Sequence, residues 1–451
     1  MGFRRRIGVI SLGCSKNRIN SEQMMFKLSS AGYDVTGEPD GADIVLINTC
    51  GFIESAKTEA IENIFEQVTA KETGRIEKII VAGCLPERYK DSIGDELPEV
   101  DAFVGTGSFD DIVNVVESVE KTVVTCHPAL YFGDINAPVS ETPRILSTSH
   151  VWAYLKIAEG CDNRCSYCCI PDIRGCFRSR PIENIISEAK KLVDAGVLEL
   201  ILVAQDLTGY GIDLYKKRSL GELLKELEKI KNLRWIRLHY LYPDDIDNEI
   251  IDVIAKSDKI LKYLDIPIQH INTGVLKKMR RRGSGDKIRG LFEKLRERIP
   301  GVVLRTSLIT GLPGEGENEF RELYDFLSEA KIERVGVFAY SPETGTEAAL
   351  MGRPSRNVAL KRADKLLELQ TQIIKEHNES RLGLKINVLI EDAVTIINGS
   401  EYFLSRSYCE SPDVDGFIYI KKTKKSLSCI NKITEVRITG MINGELTGIL
   451  E

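Results

Sequence analysis

The stretch Gly160-Cys161-Asp162-Asn163-Arg164-Cys165-Ser166-Tyr167-Cys168 places three thiols on a Cys-x3-Cys-x2-Cys spacing. Three thiolates on one short loop can hold three corners of a cubane iron–sulfur cluster and leave the fourth iron open. A fully ligated cluster passes electrons, whereas an open iron can bind the amino and carboxylate groups of S-adenosylmethionine and cleave it reductively. A structural zinc site would want a second Cys-x2-Cys pair, or Cys paired with His, and no second pair follows within reach. A disulfide framework suits short secreted chains; this one has 451 residues and an odd count of eleven cysteines. Free Cys packs as a small apolar residue. That explains any one of the three, but not three at this spacing beside Asp162, Asn163 and Arg164.

Upstream, the apolar runs 7–10, 44–47 and 79–82 read as buried parallel strands, with helices expected over 21–30 and 55–69. Each run ends just before a cysteine: Cys14, Cys50 and Cys84. In an open parallel sheet ligands bind beyond the carboxyl ends of the strands, so these three cysteines are expected to converge. A segment with Pro138 and Pro143 reads as a linker. Beyond it strands (151–158, 198–204, 235–240, 264–268, 302–309, 334–339) alternate with helices (181–195, 220–229), as in an incomplete parallel barrel with its reactive centre at the strands' carboxyl ends. Gln205, Asp206, His239, Tyr240, Gln269 and His270 fall at such ends, although a His there is more often a hydrogen-bonded structural residue. In 306–315, Gly311 and Gly314 would let backbone approach a ligand closely. Helix 360–377 closes this unit; the β-rich runs 388–390, 417–420 and 436–439 then suggest a small antiparallel barrel. The chain is thus α/β: an N-terminal Rossmann-like open parallel sheet (1–132), a linker (133–148), a partial six-stranded β/α barrel (149–378) and a C-terminal β-barrel (379–451).

A net charge of −6 gives no general attraction to nucleic acid. From residue 379 onward, nine Lys and Arg stand against ten Asp and Glu, and the basic residues cluster only at Lys421, Lys422, Lys424 and Lys425. RNA binding leans on phosphate neutralisation, which so neutral a domain supplies poorly. Glu410, Asp413 and Asp415 read either as solvated turn residues or as an acidic group that meets a basic protein. The start Met1-Gly2-Phe3-Arg4 imitates a secretory or lipoprotein signal, but Ser11 interrupts the apolar stretch, Lys16, Asn17 and Arg18 follow it, and Arg6 stands where myristoylation prefers Ser or Thr. No run is long enough to span a bilayer. A cytoplasmic enzyme is expected.

Lys156-Ile157-Ala158-Glu159-Gly160-Cys161 through Cys168, with Ile170-Pro171 and Arg174-Gly175, closely resembles the cluster loop of the radical S-adenosylmethionine methylthiotransferases. The resemblance extends over essentially the whole chain. It implies two 4Fe–4S clusters, one on Cys161, Cys165 and Cys168 and one on Cys14, Cys50 and Cys84. It implies S-adenosylmethionine as cofactor, held by Gln205, Thr306, Gly311 and Gly314, and a terminal TRAM domain. One S-adenosylmethionine would methylate sulfur at the N-terminal cluster; a second would give the 5′-deoxyadenosyl radical that opens the substrate for methylthio transfer. One branch of the family modifies the β-carbon of an aspartate in small-subunit ribosomal protein twelve, giving 3-methylthioaspartate; another modifies an isopentenylated adenosine of tRNA. Ser11-Leu12-Gly13-Cys14-Ser15-Lys16-Asn17, Asn48-Thr49-Cys50-Gly51-Phe52-Ile53, Arg237-Leu238-His239-Tyr240, Pro267-Ile268-Gln269-His270 and Arg406-Ser407-Tyr408 with Asp415-Gly416 resemble the ribosomal branch. Its members need a sulfur source and an electron donor, and would meet RNA only indirectly. A pure electron carrier would not need so large a barrel. Cys126, Cys169, Cys176, Cys409 and Cys429 depart from the pattern; Cys126 and Cys169 read as small packed residues.

Overall fold

The computed structural model describes residues 5–121 and 127–450. Met1 to Arg4 and Cys126 lie outside these residues. Residues of the signal-like stretch that are described form strand β1, Arg6–Ser11. With β2 (Asp34–Thr36), β3 (Ile44–Thr49), β4 (Lys78–Gly83), β5 (Ala102–Val104) and β6 (Ala129–Tyr131) it builds a six-stranded parallel sheet, ordered β2-β1-β3-β4-β5-β6. Every residue of β3 is buried, because helices cover both faces of a parallel sheet. Three of the six strands were not legible in the sequence, since β2, β5 and β6 have only three residues each and show no period. The three that were legible lie side by side. Ser11 pairs with Asn48 and Thr49 with Gly83, so β1, β3 and β4 end at one level and release Cys14, Cys50 and Cys84 at the same edge.

The second sheet is also parallel: β7 (Trp152–Lys156), β10 (Glu199–Val203), β11 (Trp235–Leu238), β12 (Ile260–Asp265), β13 (Val303–Thr310) and β14 (Arg334–Ala339), in the order β14-β13-β12-β11-β10-β7. It curves into the expected six-stranded partial barrel. A two-stranded ribbon, β8 (Ala158–Glu159) with β9 (Arg178–Ser179), follows β7. The strand expected at 264–268 begins earlier and ends at Asp265, because Pro267 has no N–H to continue the ladder. Alternate strand residues face the surrounding helices, among them Leu155, Leu202, Leu238 and Leu304. The opposite face, with Trp152, Tyr154, Ile201 and Tyr263, packs against Ile19 of the N-terminal helix Ser15–Ser30 and against Leu389 and Cys409 of the terminal domain. The other two domains therefore seal the hollow of the partial barrel.

The terminal strands β15 (Lys385–Ile397), β16 (Ser400–Arg406), β17 (Ile418–Lys421), β18 (Lys432–Ile442) and β19 (Glu445–Ile449) close in the order β15-β16-β17-β19-β18. The barrel is mixed, not wholly antiparallel: β17 and β19 pair in parallel. A short helix, Lys424–Leu427, and the long β18 separate them, so β19 returns along β17 in its own direction. Of the acidic residues at 410–415, Asp413 is exposed as a turn residue would be, whereas Glu410 is buried and fits neither sequence reading. Glu410 is buried between Arg381 and Arg334, the latter 3.1 Å away. Asp415 accepts from Tyr263 Oη (2.8 Å) and the Ser411 amide (2.9 Å); Asp413 accepts from Tyr154 Oη (3.1 Å) and pairs with Arg18 (3.4 Å). Deeper in the same interface Glu199 bridges Arg237 (2.7 Å) and Arg406 (2.8 Å), and Glu391 meets Arg406 (2.6 Å). These acidic groups, buried except for the exposed Asp413 and half-buried Asp415, tie the terminal barrel to the rest of the chain. Among the described residues no helix is long and apolar enough to cross a membrane.

Candidate metal centres and the site between them

The loop 160–168 leaves the β8/β9 ribbon, and its base is fixed by a Cys161 amide bond to the Gly175 carbonyl (3.2 Å). Gly160 has φ +80°, and a Cβ there would lie 2.0 Å from the Cys176 carbonyl oxygen, so only glycine lets the two arms pass. Cys176 serves the loop through its backbone. Donors approach the sulfurs: Asn163 Nδ2 lies 3.5 Å from Cys161 Sγ and also gives a 2.7 Å bond to Asp206, while Arg281 Nη1 lies 3.8 Å from Cys165 Sγ and 3.3 Å from Tyr167 Oη. Ser166 anchors the loop to the carbonyls of Lys278 (3.1 Å) and Met279 (3.1 Å). Burial pushes the Cys161 thiol up to about 11 and raises that of Cys168 well above its ordinary value, with neighbouring thiols adding to both. Such thiols ionise when a metal supplies the positive charge.

At the edge of the first sheet, the backbone of Gly13 runs so close that a Cβ there would sit 2.7 Å from the Cys50 Cβ. Burial, then Cys84 and Cys14, push the Cys50 thiol up to about 12; burial also raises that of Cys84. Cys14 behaves oppositely. Its crowded surroundings oppose ionisation, but Lys16 and Arg174 prevail and lower its value. Cys84 Sγ is met by Arg174 Nη2 at 3.2 Å and lies 3.6 Å from Asn17 Oδ1. Among the described residues no three His, Cys, Asp or Glu side chains close tightly enough around one point for a single metal ion. Two separate trios of cysteines, each provided with N–H donors, instead suit polynuclear clusters, whose corners hold the sulfurs further apart.

Arg174 joins the two regions. It ends the short helix Ile170–Arg174, which packs on the helix Cys84–Arg88. Besides Cys84 it reaches Asn17, Asn20 Oδ1 (2.8 Å) and Glu159 (3.5 Å). Glu159 in turn takes Lys156 Nζ (2.9 Å) and Gln205 Nε2 (2.7 Å). Burial opposes the Glu159 charge, but Lys156 and Arg174 hold its carboxyl well below the usual range. Cys169 packs with Cys84, Ile173 and Phe52, as its reading as a small packed residue anticipated. Arg174, Glu159, Asn17, Asn163 and Arg281 were missed as site residues. The wording of the cysteine loop, which contains Glu159, Asn163 and Arg174, and of the stretch around Cys14, which contains Asn17, could have pointed to four of them; Arg281 carries no such signal.

The four expected cofactor contacts fare differently. Gln205 stands at the carboxyl end of β10 with a buried amide oxygen that lacks a hydrogen-bond partner, as an acceptor awaiting a ligand would. Thr306 is fully buried, donates to the Ile266 carbonyl (2.7 Å) and accepts from the Ile268 amide (3.1 Å), so its hydroxyl is engaged within the barrel wall. Gly311 has φ +78°, and a Cβ there would lie 2.3 Å from Ala359 Cβ; its need for glycine comes from the packed helix Arg356–Glu379. At Gly314 the neighbour is Lys278. What shapes this loop is Glu315, which accepts from the Gly311 amide (2.9 Å) and Arg362 (2.7 Å) and faces His270 Nε2 at 3.3 Å. His270 Nδ1 accepts from the Asn272 amide (3.0 Å), and His239 pairs with Ser411 (2.8 Å); both histidines are structural.

Known proteins are similar to this chain. Family models match residues 6–105 (uncharacterized protein family UPF0004), 155–327 (radical SAM superfamily) and 382–450 (TRAM domain). The ribosomal protein uS12 methylthiotransferase RimO of Thermoanaerobacter sp. is 46% identical over 424 residues, covering 93% of this chain and 94% of the relative. That of Aquifex aeolicus is 44% identical over 449 residues, covering 98% and 96%. The chain belongs to the RimO family of methylthiotransferases. RimO-family membership makes it a radical S-adenosylmethionine enzyme, a transferase that works with S-adenosylmethionine and 4Fe–4S clusters. The solved structure of the radical S-adenosylmethionine methyltransferase TsrM from Kitasatospora setae has the same fold over 74% of this chain and 75% of its own, at a TM-score of 0.56 and 13% identity.

Proposed function

We propose that the chain transfers a methylthio group to the β-carbon of an aspartate of ribosomal protein uS12, giving 3-methylthioaspartate. The observation that carries the reading is Arg174, which touches Cys84 of one trio and Glu159, two residues before Cys161 of the other. The two centres are thus neighbours across one buried guanidinium. Cys161, Cys165 and Cys168 would hold one cluster, and Cys14, Cys50 and Cys84 the other. Bound there, the clusters and S-adenosylmethionine supply the radical abstraction of hydrogen and the sulfur to be transferred. The chain's own residues position and enclose. Gln205 offers its free amide oxygen to the cofactor, Glu159 fixes Gln205 against Lys156, and Gly311 and Gly314 with Glu315 shape the loop after β13. A sulfur source and an electron donor complete the reaction, and a ribosomal substrate is consistent with a cytoplasmic enzyme. The test is anaerobic incubation of the reconstituted protein with S-adenosylmethionine and either uS12 or isopentenylated tRNA. The reading expects a methylthio mass increment on an aspartate-bearing peptide of uS12; product on the tRNA alone would overturn it.

A further inference from the structure

Lys16 stands two residues after Cys14, in the first turn of the helix Ser15–Ser30, and is only 7% exposed. Three features make it anomalous. A cation in a helix's first turn opposes the macrodipole. A buried ammonium is costly unless it is paired, yet among the described residues Lys16 forms no ion pair with a carboxylate and no hydrogen bond to a cysteine sulfur. Its close partner is Tyr240, whose ring centroid lies 3.7 Å from Nζ; burial opposes the charge, and Tyr240, Cys14 and Glu159 sustain it. A ring face takes up part of the charge but cannot satisfy three N–H donors.

The place of this charge is equally informative. Tyr240 follows β11, at the carboxyl end of the partial barrel, and holds φ +64°, a left-handed backbone uncommon for a tyrosine and typical of strained functional positions. Lys16 comes from the other domain, beside the N-terminal trio. Its contact with Tyr240 therefore joins the surroundings of the N-terminal trio to the carboxyl end of the barrel. Lys16 lowers the Cys14 thiol through space, but the direct N–H contact to the trio comes from Arg174, which reaches Cys84.

We propose that Lys16 anchors the carboxylate of the substrate aspartate, holding its β-carbon between the two cysteine trios, and so selects aspartate over its uncharged amide. The inference rests on the reading of uS12 as substrate. A carboxylate supplies what Lys16 lacks, and in the target residue it is bonded to the carbon that reacts. Lys16 acts here as a specificity residue, with Tyr240 fixing its direction.

The test uses the full-length, anaerobically reconstituted protein with S-adenosylmethionine, and two probes: uS12, and uS12 with its target aspartate replaced by asparagine. Wild type should bind the aspartate form more tightly. Lys16→Met should weaken that form roughly tenfold to a hundredfold, as loss of a charge-assisted bond does, leave the asparagine form unchanged, and leave iron content and the electron paramagnetic signal of the N-terminal cluster as in wild type. Lys16→Arg should keep the preference for aspartate and shows that the position tolerates substitution. Undiminished discrimination in Lys16→Met overturns the proposal. So does an equal loss for both probes together with an altered cluster signal, which would make Lys16 a counter-charge of the cluster. If wild type binds neither probe, the assignment of uS12 itself fails, and the proposal with it.

Discussion

Arg174 sits where one guanidinium serves a thiol and a carboxylate at once, with burial opposing its charge and Cys84 and Glu159 sustaining it. Hydrogen bonds and net charge near the sulfurs set an iron–sulfur reduction potential. Arg174→Met, made in a protein that also carries Cys161→Ala, Cys165→Ala and Cys168→Ala so that only the N-terminal cluster reports, should therefore move that potential to more negative values. An unchanged potential would remove Arg174 from that cluster's surroundings. The cysteines could be found from their spacing; the groups that tune them could not. Arg174 follows Cys168 by six residues, but its contacts with Asn17, Asn20 and Cys84 are made across the fold, and no local pattern encodes them. Thr306 shows the converse. It falls in a stretch that resembles a ligand loop, yet its hydroxyl is taken by the backbone at Ile266 and Ile268.

Elements differed in how plainly they could be read. The buried strands were clear because a parallel sheet covered on both faces needs continuous apolar runs, as β3 has. The helix Ser15–Ser30 was expected only from residue 21, because its first turns carry Lys16, Asn17 and Asn20, polar residues that are buried against the sheet edge and the neighbouring domain instead of facing water. Hydrophobic periodicity cannot reveal a helix whose hidden face is polar. The loop after β13 was noticed for its glycines, but the structure gives Gly311 a packing duty against Ala359. Gly311→Ala should destabilise the protein by about 2–3 kcal/mol, through the left-handed φ and the overlap with the helix. Adding Ala359→Gly should recover the overlap and leave the backbone cost. A single variant as stable as wild type in thermal melting, or a second substitution that recovers nothing, would contradict this account of the loop.

At the scale of the whole molecule, the three domains are held by ion pairs at the open side of the barrel, and those pairs make stability depend on pH. Burial opposes the charge of Glu410, but Arg381 and Arg334 overcome it and hold its carboxyl down to about 2, against 4.5 for a free glutamate. A depressed folded value gives stability that is complete above about 4.5 and is lost as the pH falls towards about 2. Glu410→Gln should lower the melting temperature at pH 7, the loss being on the order of 3 kcal/mol because two buried guanidinium groups lose their partner. The gap to wild type should narrow as the pH falls below 4.5; a gap that is the same at every pH would refute the assignment. The domain plan could be read because each unit has its own period and punctuation, whereas the interfaces could not, since Glu410, Asp413 and Asp415 look like any solvated turn until Arg18, Tyr154, Tyr263 and Arg334 are brought to them. On the proposed function, the assembled molecule divides one reaction between its two cysteine trios. The most direct measurement is made on a protein carrying Cys14→Ala, Cys50→Ala and Cys84→Ala, incubated anaerobically with S-adenosylmethionine, a reductant and uS12. It should retain about half the iron of wild type, still produce 5′-deoxyadenosine, and form no methylthiolated aspartate; methylthiolated uS12 at the wild-type rate would contradict the division of labour.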